Sequence, residues 1–238
     1  MVRLLPLLII LLYLSNPVFG QEEDKRIFFS EALSIHLPKY DQNAKDAYFQ
    51  RDFEKGRRLF DSLIEQGLKG SYMDNFKFNN LSKKESSLYE FKKPMYLITY
   101  ASWCITSEGE IPAINQLAEK YSDKIDFVIL FWDNHTTTKK MSKSYNEHIR
   151  VLYVNEMENK DSYVISKLKH SLGLPTTFLI DGNKKILDIR RGVSHPYGKS
   201  FEESFDMNYN SIYDGIANHL LESNDEYYNP ERETVALN

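Results

Sequence analysis

Residues 95–132 read MYLITYASWCITSEGEIPAINQLAEKYSDKIDFVILFW, and the fold is decided there. The run from Met95 to Tyr100 is mostly apolar and rich in β-forming side chains, which predicts an interior strand. Ile111, Ile114, Leu117, Ala118 and Tyr121 fall on one stripe of a helical period, so an amphipathic helix is expected over 111–121. Asp126 to Trp132 (DFVILFW) is a second buried-strand candidate. Strand, helix and strand in succession are the unit from which an α/β sandwich around one sheet grows. At the junction of the first strand and the helix sits Cys104, the single cysteine of the chain.

Working outward, Asn75 to Asn79 (NFKFN) alternates like a short half-buried strand, and Val151 to Val154 reads as another. Residues 136–148 are polar and helical by pattern, and Asp161 to Leu172 is an amphipathic helix closed by Gly173. Thr176 to Ile180, the Asp181-Gly182-Asn183 turn and Lys185 to Arg190 predict a β-hairpin, and Ser211 to Leu221 a last helix. Upstream, 43–66 places Phe49, Phe53, Leu59, Phe60, Leu63 and Ile64 at helical spacing, ended by Gly67 and Gly70. A packing helix and a partner-recruiting helix are both open readings of that stretch. Residues 21–42 read as a loose lead-in. The expected organisation is a signal peptide over 1–20, a helical extension over 21–69, an α/β domain over 70–223 and an acidic flexible tail over 224–238.

The signal reading rests on Arg3 followed by an apolar run from Leu4 to Leu14, too short to span a bilayer well. Ser15, Asn16 and Pro17 break the run, and Val18-Phe19-Gly20 supplies small residues before a cut ahead of Gln21. No cysteine follows the run, which excludes a lipid-modified terminus, and no later stretch is apolar enough to cross a membrane. Removing residues 1–20 takes away Arg3 and no acid, so the formal charge goes from −4 to −5. That balance, with both signs interspersed, excludes nucleic acid or an anionic membrane as the default partner. One cysteine closes no internal disulfide and builds no cysteine-based zinc site. Exported proteins usually pair their cysteines, so a lone one is unusual.

A thiol at a helix N-terminus faces the positive end of the dipole, which favours thiolate and gives an attacking sulfur. Against this stands the commoner fate of a lone cysteine, an inert small hydrophobe. With Trp103 before it, the stretch from Thr99 to Asp133 resembles the active-site strand, helix and strand of thioredoxin-like proteins, in particular the exported TlpA/ResA-type thiol–disulfide oxidoreductases. LGLPTTFLIDGNKKI is similar to that group's cis-proline loop and hairpin, and NFKFNNLSKKESSLYEFKKPMYL to its leading strand. The likeness covers roughly residues 70–221. It implies a thioredoxin-like fold, a central mixed sheet flanked by helices, with the helical extension lying outside it.

Residue by residue, the resemblance makes Cys104 the attacking cysteine, Trp103 its flat apolar neighbour, and Pro175 the proline whose cis peptide lies against the sulfur. Leu174 would offer backbone groups to an extended client, in the manner of an added strand. Glu110 matches an acid that relays a proton near the cysteine pair, and Pro112 the kink proline of the helix. The bland reading of Glu110 is a first-turn acid favoured by the dipole. The departure from the family is Ser107, which stands where the resolving cysteine belongs. Ser107 cannot release a mixed disulfide, although its hydroxyl could hydrogen-bond the Cys104 thiolate. Ile98 replaces a buried acid found in thioredoxin itself.

The expected function is thiol–disulfide exchange through one cysteine in an exported, periplasmic or extracellular setting. Its partners are client protein thiols or disulfides, with an external thiol or a partner oxidoreductase for release. The alternative is a non-catalytic module that holds an extended client peptide. No cofactor or metal is implied. The six histidines lack metal spacing, a dyad of Cys104 with His195 has little support, and no phosphate-binding or serine-hydrolase motif occurs. Asn80-Leu81-Ser82 and Asn134-His135-Thr136 fit glycosylation acceptors, relevant only in a eukaryotic host. The tyrosines are scattered, and Lys139-Lys140 and Arg190-Arg191 are too small for a nucleic-acid footprint.

Overall fold

The structure, a computed structural model, describes residues 26–159, 164–191 and 200–221. The signal segment, His195 and the acidic tail lie outside them.

Seven strands form one mixed sheet: β1 (Lys77–Asn80), β2 (Glu85–Ser87), β3 (Met95–Tyr100), β4 (Asp126–Phe131), β5 (Ile149–Tyr153), β6 (Thr176–Ile180) and β7 (Ile186–Arg191). Their order is β2-β1-β5-β4-β3-β6-β7. β3 lies inside the sheet, parallel to β4 and antiparallel to β6, with Leu97 opposite Val128 and Phe178. Every residue of β3 is buried, as its unbroken apolar run requires.

The period of two along β3 divides the core. Met95 and Leu97 point to one layer with Phe29, Leu33, Phe60, Leu68 and Phe178. Tyr96, Ile98 and Tyr100 point to the other, with Ile114, Leu117, Ile212 and Ile216. The second layer is built by α3 (Glu110–Tyr121) and α5 (Phe201–Gly215), the latter continuing as a π-helical turn over Ile216–Leu221. A short α4 (His135–Met141) follows β4, capped by the Asn134 side chain on the Thr137 N–H.

The first layer corrects two expectations. Residues 21–42 are not a loose lead-in where they are described: α1 runs over Phe29–Phe49 in spite of Pro38 inside it. An interior proline costs about 3 kcal/mol, which the burial of Phe29, Ala32 and Leu33 on one face offsets. The Phe29 ring meets Phe178 edge-on at 5.5 Å, and Asp74 accepts from the Ser30 backbone and hydroxyl. Nor is 43–66 one helix. The chain turns at Arg51, whose φ is 55°, and α2 (Phe53–Leu63) starts anew with Asp52 capping the Lys55 N–H. Phe60, Leu63 and Ile64 are buried on the sheet, whereas Phe49 and Phe53, placed on the same stripe by the sequence, are 83% and 72% exposed at the bend. A π-helical turn over Ile64–Leu68 follows, and Gly70, at φ 87°, ends it in a conformation that suits glycine.

Other boundaries move as well. The strand expected from Asn75 starts at Lys77, β2 has no counterpart in the sequence pattern, and the expected last helix begins ten residues before Ser211, at Phe201. There the Ser200 hydroxyl accepts from the Glu203 N–H while the Glu203 carboxylate accepts from the Ser200 N–H. Of the 161–172 helix, the described part is a π-helical turn over Ile165–His170.

Candidate functional site

β3 delivers Ala101 to the C-terminal end of the strand, and the chain turns there. The Cys104 N–H donates to the Ala101 carbonyl at 2.8 Å, closing a turn over 101–104. The Ala101 N–H in turn points at Cys104 Sγ, 3.4 Å away. Cys104 is half-buried and packs against both core layers, between the exposed Trp103 and Ile105. α3 begins only at Glu110, so Cys104 is not at a helix N-terminus as the sequence suggested. Ile105 and Thr106 are β-branched and Gly109 follows them, a composition that delays helix nucleation. Helix-end fields fade within the first turn, so the sulfur lies beyond that help. Burial pushes the Cys104 thiol up, the Ala101 N–H works against this, and the negative charge of Asp133 adds to it. The lowered thiol pKa expected from the sequence is therefore reversed. Pro112, in the first turn of α3, is no kink: its missing N–H is one the helix end leaves unpaired anyway.

The antiparallel register of β3 with β6, Thr99 against Thr176, brings the residues just before β6 to the same end. Those residues are Leu174 and Pro175, joined by a cis peptide bond. Leu174 packs against the core layer that also receives Cys104. A groove of about 700 Å³ between α1, α2 and β7 is lined by Tyr40, Phe53, Phe60 and Arg191, and Cys104 is not part of it.

Behind the turn, the Ser107 hydroxyl accepts from the Asn208 amide at 2.8 Å. That bond ties the Ser107 oxygen to α5 and uses it as an acceptor, so the O–H expected to serve Cys104 is not consumed by it. Gly109 explains why α5 comes so near: an added Cβ there would sit 2.2 Å from the Phe205 nitrogen, so only glycine admits this approach. The Gly109 N–H donates to the Ser204 hydroxyl at 3.1 Å. Glu110 is partly buried, and Tyr100 donates its hydroxyl to the Glu110 carboxyl. Burial pushes the Glu110 carboxyl up to about 7, against the opposing effect of a backbone hydrogen bond from Ser107. A group with that poise holds or gives up a proton near neutrality, as a general acid or base must.

Asn208, Gly109, Tyr100 and Asp133 are the site residues that sequence reading missed. Gly109 alone carried a local signal, a glycine just ahead of a helix. No group of three or more metal-ligating side chains occurs among the described residues.

The model of the AhpC/TSA family matches residues 70–189. The thioredoxin-like protein YneN of Bacillus subtilis is 29% identical over 146 residues, covering 58% of this chain and 79% of the relative. Thiol-disulfide oxidoreductase ResA of Bacillus thuringiensis is 29% identical over 126 residues, 52% of this chain and 69% of the relative. Among solved structures, a thiol:disulfide interchange protein from Bacteroides sp. superposes with a TM-score of 0.48 at 18% identity, over 68% of this chain and 97% of that one. With more than half of its length matched by the family model, the chain belongs to the AhpC/TSA family of thioredoxin-like proteins.

Proposed function

We propose that this is an exported, periplasmic protein that reacts with client disulfides through Cys104 alone and stops at the mixed disulfide. The Cys104 thiolate attacks one sulfur of a client disulfide: a bond from Cys104 forms, the client S–S bond breaks, and the released client sulfur leaves as a thiolate and takes a proton. Release then needs an external thiol or a partner oxidoreductase, because Ser107 supplies no second sulfur. The observation that carries this reading is the half-buried thiol at the same sheet end as the cis Leu174–Pro175 step, with the Ser107 hydroxyl held by Asn208. Relatives bearing the name thiol-disulfide oxidoreductase support the chemistry. The apolar run after Arg3 supports export, and no described helix is long and apolar enough to cross a membrane. Trp103 and Leu174 would contact the client, Pro175 would orient it, and Glu110 would manage the proton.

Oxidised glutathione tests this. The folded chain should gain one glutathione on Cys104, stable until an outside thiol is added, while Ser107→Cys should shed the adduct and close an internal disulfide. Failure of the folded protein to form any adduct at pH 8, where the unfolded chain does, refutes the proposal.

A second reading, a binding module without exchange, is favoured by the burial that pushes the Cys104 thiol up beside the exposed Trp103 and Ile105. Under it, Cys104→Ser leaves capture of an extended client peptide intact, and a strong loss of capture sinks it.

A further inference from the structure

The turn that carries Cys104 is tied down by a residue that neither reading has used. Asp133 lies just past the end of β4 and reaches across to Ser102. The Ser102 backbone N–H donates to Asp133 Oδ2 at 2.7 Å and its hydroxyl to Oδ1 at 2.6 Å. Both carboxylate oxygens are thus spent on one residue, in a two-point, charge-assisted clasp of the stronger kind. The neighbouring main chain is anchored too: the Trp132 N–H donates to the Tyr100 carbonyl at 2.8 Å, continuing the β3–β4 pairing up to the clasp.

Ser102 lies inside the turn that Ala101 and Cys104 close, two residues from the sulfur. Fixing Ser102 therefore restrains the turn that presents Cys104. The carboxylate does something else at the same time. Asp133 is only partly buried, and among the described residues it is the charged group that bears on the Cys104 thiol. A nearby negative charge opposes a second one forming. One side chain thus does two separable things, one by hydrogen bonding and one by charge.

We propose that Asp133 is a positioning residue for Cys104: its carboxylate clasps Ser102 to set the 101–104 turn, and its charge restrains the sulfur's reactivity. The proposal rests on Cys104 being the reacting atom, yet its test needs no disulfide substrate. Alkylation of the full chain by iodoacetamide, a neutral reagent, is followed by mass spectrometry from pH 6 to 10, with hydrogen exchange of the 101–104 amides in parallel.

Asp133→Asn keeps an acceptor for Ser102 and removes the charge. Its alkylation midpoint should move to lower pH and its rate at pH 7 should rise about twofold, with amide exchange little changed. Asp133→Ala removes the clasp as well, so the 101–104 amides should exchange faster. Ser102→Ala loses one hydrogen bond and keeps the charge, so its midpoint should stay where the wild type has it. If Asp133→Ala does not fold, the Asn variant decides alone. An Asn profile that superimposes on wild type, or moves to higher pH, overturns the proposal. A wild type that alkylates normally but takes no glutathione refutes exchange chemistry and leaves the role of Asp133 standing.

Discussion

Glu110→Gln tests the buried carboxyl most directly, because its effect on stability has a definite sign. The carboxyl ionises near its ordinary value of 4.5 in an unfolded chain and at about 7 in the folded one, with burial as the cause. Between those two values the folded state holds the proton more often, so stability falls as pH rises through that window. At about 1.36 kcal/mol per pH unit, the interval from 4.5 to about 7 corresponds to about 3 kcal/mol in all. Roughly 2–3 kcal/mol of that falls between pH 5 and 8. Glutamine cannot ionise, but its carbonyl still accepts from the Tyr100 hydroxyl that Glu110 now engages. The expected outcome is a wild type less stable at pH 8 than at pH 5, and a Gln variant in which that particular loss is gone. Urea unfolding at both pH values, analysed by linear extrapolation, measures it. An equal change in stability between the two pH values for the two proteins would mean that Glu110 is not desolvated, and the reasoning from its burial would fail.

Other perturbations reach the remaining parts of the structure. Phe29→Ala removes a ring only 1% exposed that meets Phe178 at 5.5 Å, and should cost about 3–5 kcal/mol in urea unfolding. A loss below about 1 kcal/mol would mean that α1 is not part of the core. Gly109→Ala places a methyl 2.2 Å from the Phe205 nitrogen, so α5 must shift, at about 1–3 kcal/mol or more. Thermal unfolding reads that loss, and faster amide exchange in α5 should accompany it; an unchanged midpoint would contradict the close approach.

What could be read in the sequence tracks how many neighbours a segment needs. β3, β4 and β6 were legible because strands covered on both faces must be apolar nearly throughout, and that shows in the chain itself. The middle of α3 was legible because Ile114, Leu117 and Ala118 all bury on one face, leaving a regular stripe. α1 was not, since Pro38 and a mostly polar stretch argue against it locally, and only the sheet that receives Phe29 and Leu33 makes a helix there stable. The bend at Arg51 was also hidden: Phe49 and Phe53 fit a helical stripe, yet no partner surface covers them among the described residues.

By itself the sequence determined that one thiol is present, that it follows a buried strand, and that a serine, Ser107, stands three residues after it. Those are matters of covalent composition and of local pattern. The tertiary structure decided what surrounds that sulfur. The late start of α3 takes away the helix end, the two core layers desolvate the thiol, and Asp133 arrives from β4 with an opposing charge. The last two depend on groups far apart in the chain, because desolvation and Coulomb effects act through space and are set by the packing around the site.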